Sequence, residues 1–316
     1  MKVLIFSHEK DIDGLGCVVL GKMSFEKCDQ ILCDHYDIDS LMQVLIDTGD
    51  IYQYDKIFVT DICFGEPMLA KIATNNELRE KTLVIDHHEF NVKKADNYDF
   101  VSVTVSNEKG LCSGTSLFYK YLVENGYLSS SEKLDEFAEL TRRSDTWEWK
   151  KYNDTKADKL SKLLNATSRQ KYIAMMLGKL NDSSENKFNF TENEEQLIFD
   201  YEMKMKNALE ACENNLQIVL YQDMVVGVGT IDYNYRNDIA EYLREKNYPI
   251  DILLLLNLKD KSCSLRSVSS EADVNEFAGL FGGGGSKKAS GCPLTDDLIE
   301  ALSVDLSLFT DEPDNN

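Results

Sequence analysis

With 316 residues, 43% of them apolar, and a net charge of −21, the chain is long enough to bury two cores. It is too acidic to coat long DNA or RNA through counterion release, so any nucleic acid it handles should be short and gripped locally. Eight scattered cysteines without a CxxC pair read as free thiols in a reducing compartment. The opening MKVLIFSHEK lacks the apolar core and cleavage site of a signal peptide. No apolar run reaches the roughly 18 residues of a membrane span, and the expectation is a cytoplasmic protein with no membrane partner.

In chain order, VLIF (3–6) is a compact strand running into SHEKDIDGLG, followed by a helical pattern from about Cys17 to Phe25. QILCDHY (30–36), KIFVTDI (56–62) and TLVIDHH (82–88) read as further strands. Between them, SLMQVLIDTG, closed by Gly49, and PMLAKIATNN read as helices. Short apolar strands alternating with helices predict a doubly wound parallel sheet covered on both faces. Helices dominate from Gly114 to about Leu180. The polar segment 181–196 ends in a capping-box pattern, Thr191 to Glu194, ahead of a helix over about 194–215. Beyond it come two hairpins, QIVLYQDMVVGVGT and IDILLLLNLKDKSCSLRSV, separated by the helix DIAEYLREKN. The fold expected is α/β throughout, a parallel-sheet domain at 1–185, a linker helix at 186–215 and a smaller mixed-sheet domain at 216–316 with an acidic tail.

Ligands of open parallel sheets sit beyond the carboxyl ends of the strands. The first strand delivers His8, Asp11 and Asp13 there, the third Asp61, and the fourth Asp86, His87 and His88. Any one of these aspartates alone reads equally as a helix N-cap. Together they form a carboxylate and imidazole cluster with no matching cluster of Lys or Arg in the same loops, which is stable only with cations among them. Mixed oxygen and imidazole donors suit a Mn²⁺-like or Mg²⁺-like pair better than a closed zinc site, which favours thiolates.

These residues resemble the DHH phosphoesterase superfamily. The marks are DxDG at 11–14, Asp61 in VTDI, the triplet Asp86-His87-His88, and Asp145 in RRSDTWEW. SLRS (264–267) and the four-glycine run in DVNEFAGLFGGGGSKKASG (273–291) resemble its DHHA1 companion domain. HxxDxDGxGC and SDTWEW are most similar to the oligoribonuclease B group, the nanoRNases. The resemblance implies two Mn²⁺ ions, with Mg²⁺ or Co²⁺ as substitutes. His8 and Asp11 would hold one, Asp13, His87 and Asp145 the other, and Asp61 would bridge them. It further implies that His88 meets the reacting phosphate or protonates the leaving oxygen, while Asp86 orients its neighbours.

Gly282, Gly283, Gly284 and Gly285 would let the main chain approach a phosphate or base; taken alone, the run reads first as a flexible loop. Arg266 is the expected phosphate clamp, with Ser286 and Lys287, or Lys288, beside it. In the family the glycine loop usually continues into a histidine, and Ser286 takes that place here. His35 reads as a residue supporting the ligands from behind or as a surface residue near the same edge. Trp147 and Trp149 read as packing around Asp145, with base stacking by Trp147 the second reading. Ser113-Gly114-Thr115 reads as a helix N-terminus, either plainly capped or anion-binding, and Arg142 and Arg143 as phosphate contacts or as partners of local carboxylates.

The function expected is metal-dependent hydrolysis of short oligoribonucleotides to nucleoside 5′-monophosphates, in a cleft between the two domains, with homodimer formation left open. The rival substrates are linear or cyclic dinucleotides and 3′-phosphoadenosine 5′-phosphate. A non-catalytic nucleotide sensor is the rival of another class.

Overall fold

The computed structural model describes residues 1–309, so the acidic tail expected at 311–316 lies outside the described residues. Two compact units divide the chain, Met1–Tyr201 and a second beginning at Glu202.

The first unit begins β1 (Lys2–His8), α1 (Ile12–Ser24), β2 (Lys27–Cys33), α2 (Ile38–Thr48), β3 (Lys56–Thr60), α3 (Glu66–Thr74), α4 (Asn76–Lys81), β4 (Thr82–Asp86), α5 (Val92–Asn97) and β5 (Val101–Val103). These five strands pair in parallel in the order β2-β1-β3-β4-β5. Two apolar clusters cover the sheet. Phe58 and Ile5 meet α1 on one side, while Phe6 and Val59 meet α2 and α3 on the other. Burial on both faces is why β1 reads as an unbroken apolar run instead of an alternating one. The strand order reverses between β1 and β3, and the crevice beyond their carboxyl ends is the ligand position of such sheets.

A two-residue ladder, β6 (Ser106–Asn107) with β7 (Gly110–Leu111), leads into α6 (Gly114–Glu124) and α7 (Glu132–Asp145). They are followed by α8 (Glu148–Tyr152), α9 (Thr155–Asn165), α10 (Arg169–Asn181) and α11 (Glu192–Asn214). None of the described helices is long and apolar enough to cross a membrane.

Two expectations shift. Helix α1 starts at Ile12, five residues before Cys17, because Asp11 caps it by accepting the Gly14 N–H at 3.0 Å. Asp13 therefore sits in a helical first turn and not in a loop. The polar stretch after Asn181 is also no free tether: Phe188 is fully buried and lies 5.8 Å from the Phe137 ring. With Ile198 also in that core, the first unit extends to Tyr201, beyond the boundary expected at 185.

The second unit carries β8 (Gln217–Tyr221), β9 (Met224–Gly229), α12 (Arg236–Glu245), β10 (Ile252–Asn257), β11 (Ser262–Ser267), α13 (Val274–Leu280), β12 (Gly284–Gly285), β13 (Ala289–Pro293) and α14 (Asp296–Leu302). Its sheet runs β12-β13-β11-β10-β9-β8 and is mixed, with β9 and β10 parallel and the other pairs antiparallel. Both expected hairpins form. The glycine run is not a flexible loop. A Cβ on Gly283 would stand 2.1 Å from the Gly291 carbonyl oxygen, and one on Gly285 2.6 Å from that of Ala289. Two of the four glycines are therefore required by close approach to β13, and Gly282 by its left-handed φ of 75°.

Candidate metal centre

Strand ends and helix starts bring the sequence-predicted residues together at the carboxyl edge of the first sheet. His8, Asp11 and Asp61 form one group, Asp13, His87 and Asp145 a second, and Asp61, Asp86, His87 and His88 a third. Within each, the donor atoms lie within 4.8 Å of one another. Asp61 faces both of the first two groups. Its Oδ2 is 3.7 Å from His8 Nδ1 and its Oδ1 is 3.1 Å from His87 Nε2. His87 Nε2 is also 3.7 Å from Asp13 Oδ2 and from Asp145 Oδ2.

Asp61 is built into this position at a cost. It is 2% exposed and adopts φ +59°, a left-handed conformation that aspartate tolerates better than most residues but that still carries strain. Its main-chain N–H donates to Ile85 O at 3.1 Å, tying the end of β3 to β4. Gly114 permits the placement, since a Cβ there would lie 2.6 Å from Asp61 Cβ. Asp61 Oδ2 is buried with no hydrogen-bond donor. Burial, reinforced by the charges of Asp13, Asp11 and Asp145, drives the Asp61 carboxyl far above its ordinary pKa. Asp145 is pushed up likewise by burial and then by Asp13 and Asp11. None of these four carboxylates has a Lys or Arg partner among the described residues. A buried carboxylate oxygen without a donor, among like charges and imidazoles, is a donor set that fits divalent cations.

The structure adds one partner and one residue that sequence reasoning did not assign. The first N–H groups of α6 are not an open anion site. Gly114 and Thr115 donate to the Asp13 carboxylate at 2.5 and 2.8 Å, and Thr115 Oγ1 donates to the Asp13 carbonyl at 2.6 Å. The CSGTS pattern gave the helix start; the identity of its anion needed the fold. Fully buried Asn91 is the other addition, donating from Nδ2 to Asp86 Oδ2 at 2.6 Å. Asp86 Oδ1 accepts from the His87 N–H at 2.8 Å and from His88 Nδ1 at 2.8 Å.

Two imidazoles have their pKa raised by this setting. Burial lowers the pKa of His88, but the hydrogen bond and charge of Asp86 outweigh it and leave the imidazole above its ordinary value. Burial raises Asp86, which its bonds to His88 and Asn91 pull below the usual carboxylate range. His8 repeats the pattern with Asp11, to which its Nδ1 donates at 2.6 Å. Burial is again the opposing effect, and His8 ends raised while Asp11 ends lowered.

The remaining candidates separate. His35 is exposed beside the cluster, and Asp34 next to it is held by Lys10. Arg142 is buried between Glu139 and Glu148, each at 2.8 Å, and Arg143 pairs with Glu139 and Asp154. Both therefore balance local carboxylates. Trp149 packs against the first core, whereas Trp147 corrects the packing reading: it is 55% exposed with φ +60°. In the second unit, Arg266 donates to Asn237 Oδ1 at 2.9 Å and to its own neighbour's carbonyl, Leu265 O, at 2.8 Å. Ser286 closes the turn before β13, donating to Ala289 O at 3.1 Å and accepting from the Ala289 N–H at 3.2 Å.

A parallel sheet with carboxylates and imidazoles gathered at its switch point is the architecture of a DHH-type phosphoesterase domain. The family model for the DHH family N-terminal domain matches residues 2–142, and the chain belongs to that family. It is similar to oligoribonuclease NrnB of Bacillus subtilis (strain 168), being 30% identical over 299 residues that cover 94% of this chain and 74% of that protein. Among solved structures, a pGpG-specific phosphodiesterase of Vibrio cholerae superposes with a TM-score of 0.58 at 13% identity, covering 96% of each chain. The DHH domain of a member of the s1p family of ribosomal proteins also gives 0.58, at 12% identity, covering 96% of this chain and 85% of that one. These two likenesses establish the shared fold.

Proposed function

We propose that the protein is a metal-dependent phosphodiesterase that degrades short oligoribonucleotides to nucleoside 5′-monophosphates. The observation that carries the reading is Asp61, a strained, buried carboxylate whose two oxygens turn toward two separate donor groups. His8, Asp11 and Asp61 would hold one Mn²⁺-type ion and Asp61, Asp13, His87 and Asp145 the other. When bound, such ions polarise a phosphodiester and supply hydroxide near neutral pH.

The protein's own groups do the rest. Asp13 is fixed by α6, so its carboxylate cannot swing away with the loss of a neighbour. Asp86 holds His88 by Nδ1 and favours its protonated form, which leaves Nε2 to donate a proton to the departing oxygen. Asn91 fixes Asp86 in turn. In the second unit, read as a DHHA1 substrate-binding domain, Arg266 and the backbone N–H groups of Gly282–Gly285, with Ser286 and Lys287, would take a terminal nucleotide. Similarity to an oligoribonuclease over nearly the whole chain supports this substrate class over the rivals.

The test is a time course on 5′-labelled two- to seven-mer RNAs with Mn²⁺, run beside pGpG-type dinucleotides, a cyclic dinucleotide and 3′-phosphoadenosine 5′-phosphate. Stepwise shortening to mononucleotides, stopped by chelator and by His88→Ala, is expected. A wide preference for the bisphosphate would reassign the enzyme. Nucleotide binding without Mn²⁺-dependent turnover of any phosphodiester would make it a sensor.

A further inference from the structure

His88 is one ring in a continuous wall. Its ring centre lies 4.3 Å from that of His87 and 5.3 Å from that of Phe90. His35 stands 5.8 Å from each of His8, His88 and Phe90. The chain's four histidines and one phenylalanine thus line the same edge. Of these five, His35 and Phe90 face water, Phe90 with 67% of its surface exposed.

A single exposed aromatic needs no special account, but this one is held in place. Phe90 is the middle residue of a 3₁₀ turn, Glu89–Asn91. The turn is closed by the Asn91 N–H donating to His88 O at 3.0 Å and is anchored through the Asn91 side chain to buried Asp86. Phe90 belongs to none of the apolar clusters of the described residues. The fold therefore fixes an apolar ring in solvent beside the imidazole that the proposed reaction uses, and gains no core packing from it.

We infer that Phe90, backed by His35, is a base-stacking platform that positions the nucleotide presented to His88, making hydrolysis depend on a base as well as on a phosphodiester. Every base has a π-face, so the platform selects nucleotides without selecting among bases. Phe90 is a positioning residue, and the inference rests on the phosphodiesterase reading above.

The experiment pairs protein and substrate changes. Wild type, Phe90→Ala, Phe90→Leu and Phe90→Trp are assayed with Mn²⁺ on a 5′-phosphorylated dinucleotide and on analogues lacking one base at a time. Phe90→Ala should lower kcat/KM on the intact dinucleotide by about 5- to 150-fold, the range of base–aromatic stacking on alanine substitution, chiefly through KM. Removal of the stacked base should cost wild type a similar factor and cost Phe90→Ala less than about twofold. Phe90→Trp should restore the base dependence, and Phe90→Leu should not. Fully additive losses, or Phe90→Leu matching wild type, would overturn the inference while leaving the phosphodiesterase intact. If wild type turns over no phosphodiester, the functional reading fails, and stacking is then decided by binding. Fluorescence of a 2-aminopurine dinucleotide should be quenched by wild type but not by Phe90→Ala, and equal quenching by both would reject the platform.

Discussion

Asp61→Asn separates what the site costs the fold from what it contributes to metal binding. Asparagine keeps the shape, accepts the left-handed backbone at least as well as aspartate, and removes the charge that Asp11, Asp13 and Asp145 oppose. A buried polar group without a partner costs about 1–3 kcal/mol, and a charged one more. In chelator the substitution should therefore stabilise the first unit by about 1–3 kcal/mol. At roughly 2–4 °C per kcal/mol for a unit of this size, the melting temperature should rise by about 2–12 °C. With Mn²⁺ that gap should close or invert. Wild type gains about 2.7 kcal/mol at a hundredfold excess over Kd, whereas the variant has lost the carboxylate shared by both donor groups, and its turnover should nearly vanish. The pH response follows from the same shift. Because the folded-state pKa of Asp61 is raised, the folded protein keeps a proton that the unfolded chain releases above about 3.9. Stability in chelator should thus fall as pH rises from there, with a shallower slope in the variant. Differential scanning calorimetry with EDTA and with Mn²⁺ reads each of these. A variant less stable than wild type in EDTA, or equally stabilised by Mn²⁺, would refute the reasoning.

Gly114→Ala places a Cβ 2.9 Å from Asp61 Cα and 3.0 Å from its N, so Mn²⁺ affinity measured by calorimetric titration should fall at least tenfold although no ligand is altered. The alkaline limb of the kcat/KM profile should report deprotonation of His88 above its ordinary pKa of about 6.5, and Asp86→Asn, which removes the support that raises it, should move that limb to lower pH. Arg266→Ala should raise KM for dinucleotides by about 10- to 150-fold with kcat little changed, as expected for loss of one charge-assisted contact of about 1.5–3 kcal/mol. Gly283→Ala, facing a backbone oxygen at 2.1 Å, should lower the melting temperature of the second unit without affecting Mn²⁺ affinity.

Much of the first sheet was legible because strands buried on both faces cannot hide their apolar runs, and β1, β3 and β4 each carry their acidic or imidazole residue at the carboxyl end. What was illegible depended on long-range closure. No local signal told that Asp13 would be caught by Gly114 and Thr115, or that Asp61 would turn left-handed beneath them. Phe188 looked like part of a polar linker because a single buried aromatic among Asn, Ser and Glu has no periodicity. The glycine run was ambiguous in sequence because glycine serves both flexibility and close approach, and only the pairing of β12 with β13 decides between them at Gly283 and Gly285. Trp147 was misread as packing because indole size favours burial, and the positive φ that turns it outward leaves no trace in composition.

The grip of α6 on Asp13 has a consequence for how the site comes into being. Of the six candidate ligands, five have emerged by His87, yet Asp13 is locked only by amides 101 and 102 positions further along, and Asp145 follows later still. A chain released before residue 115 would carry most of the metal-binding side chains without the constraint that orients them. Competence for the proposed metals would then await closure of the lobe, and a cation arriving earlier in synthesis would find carboxylates that helix α6 has not yet fixed.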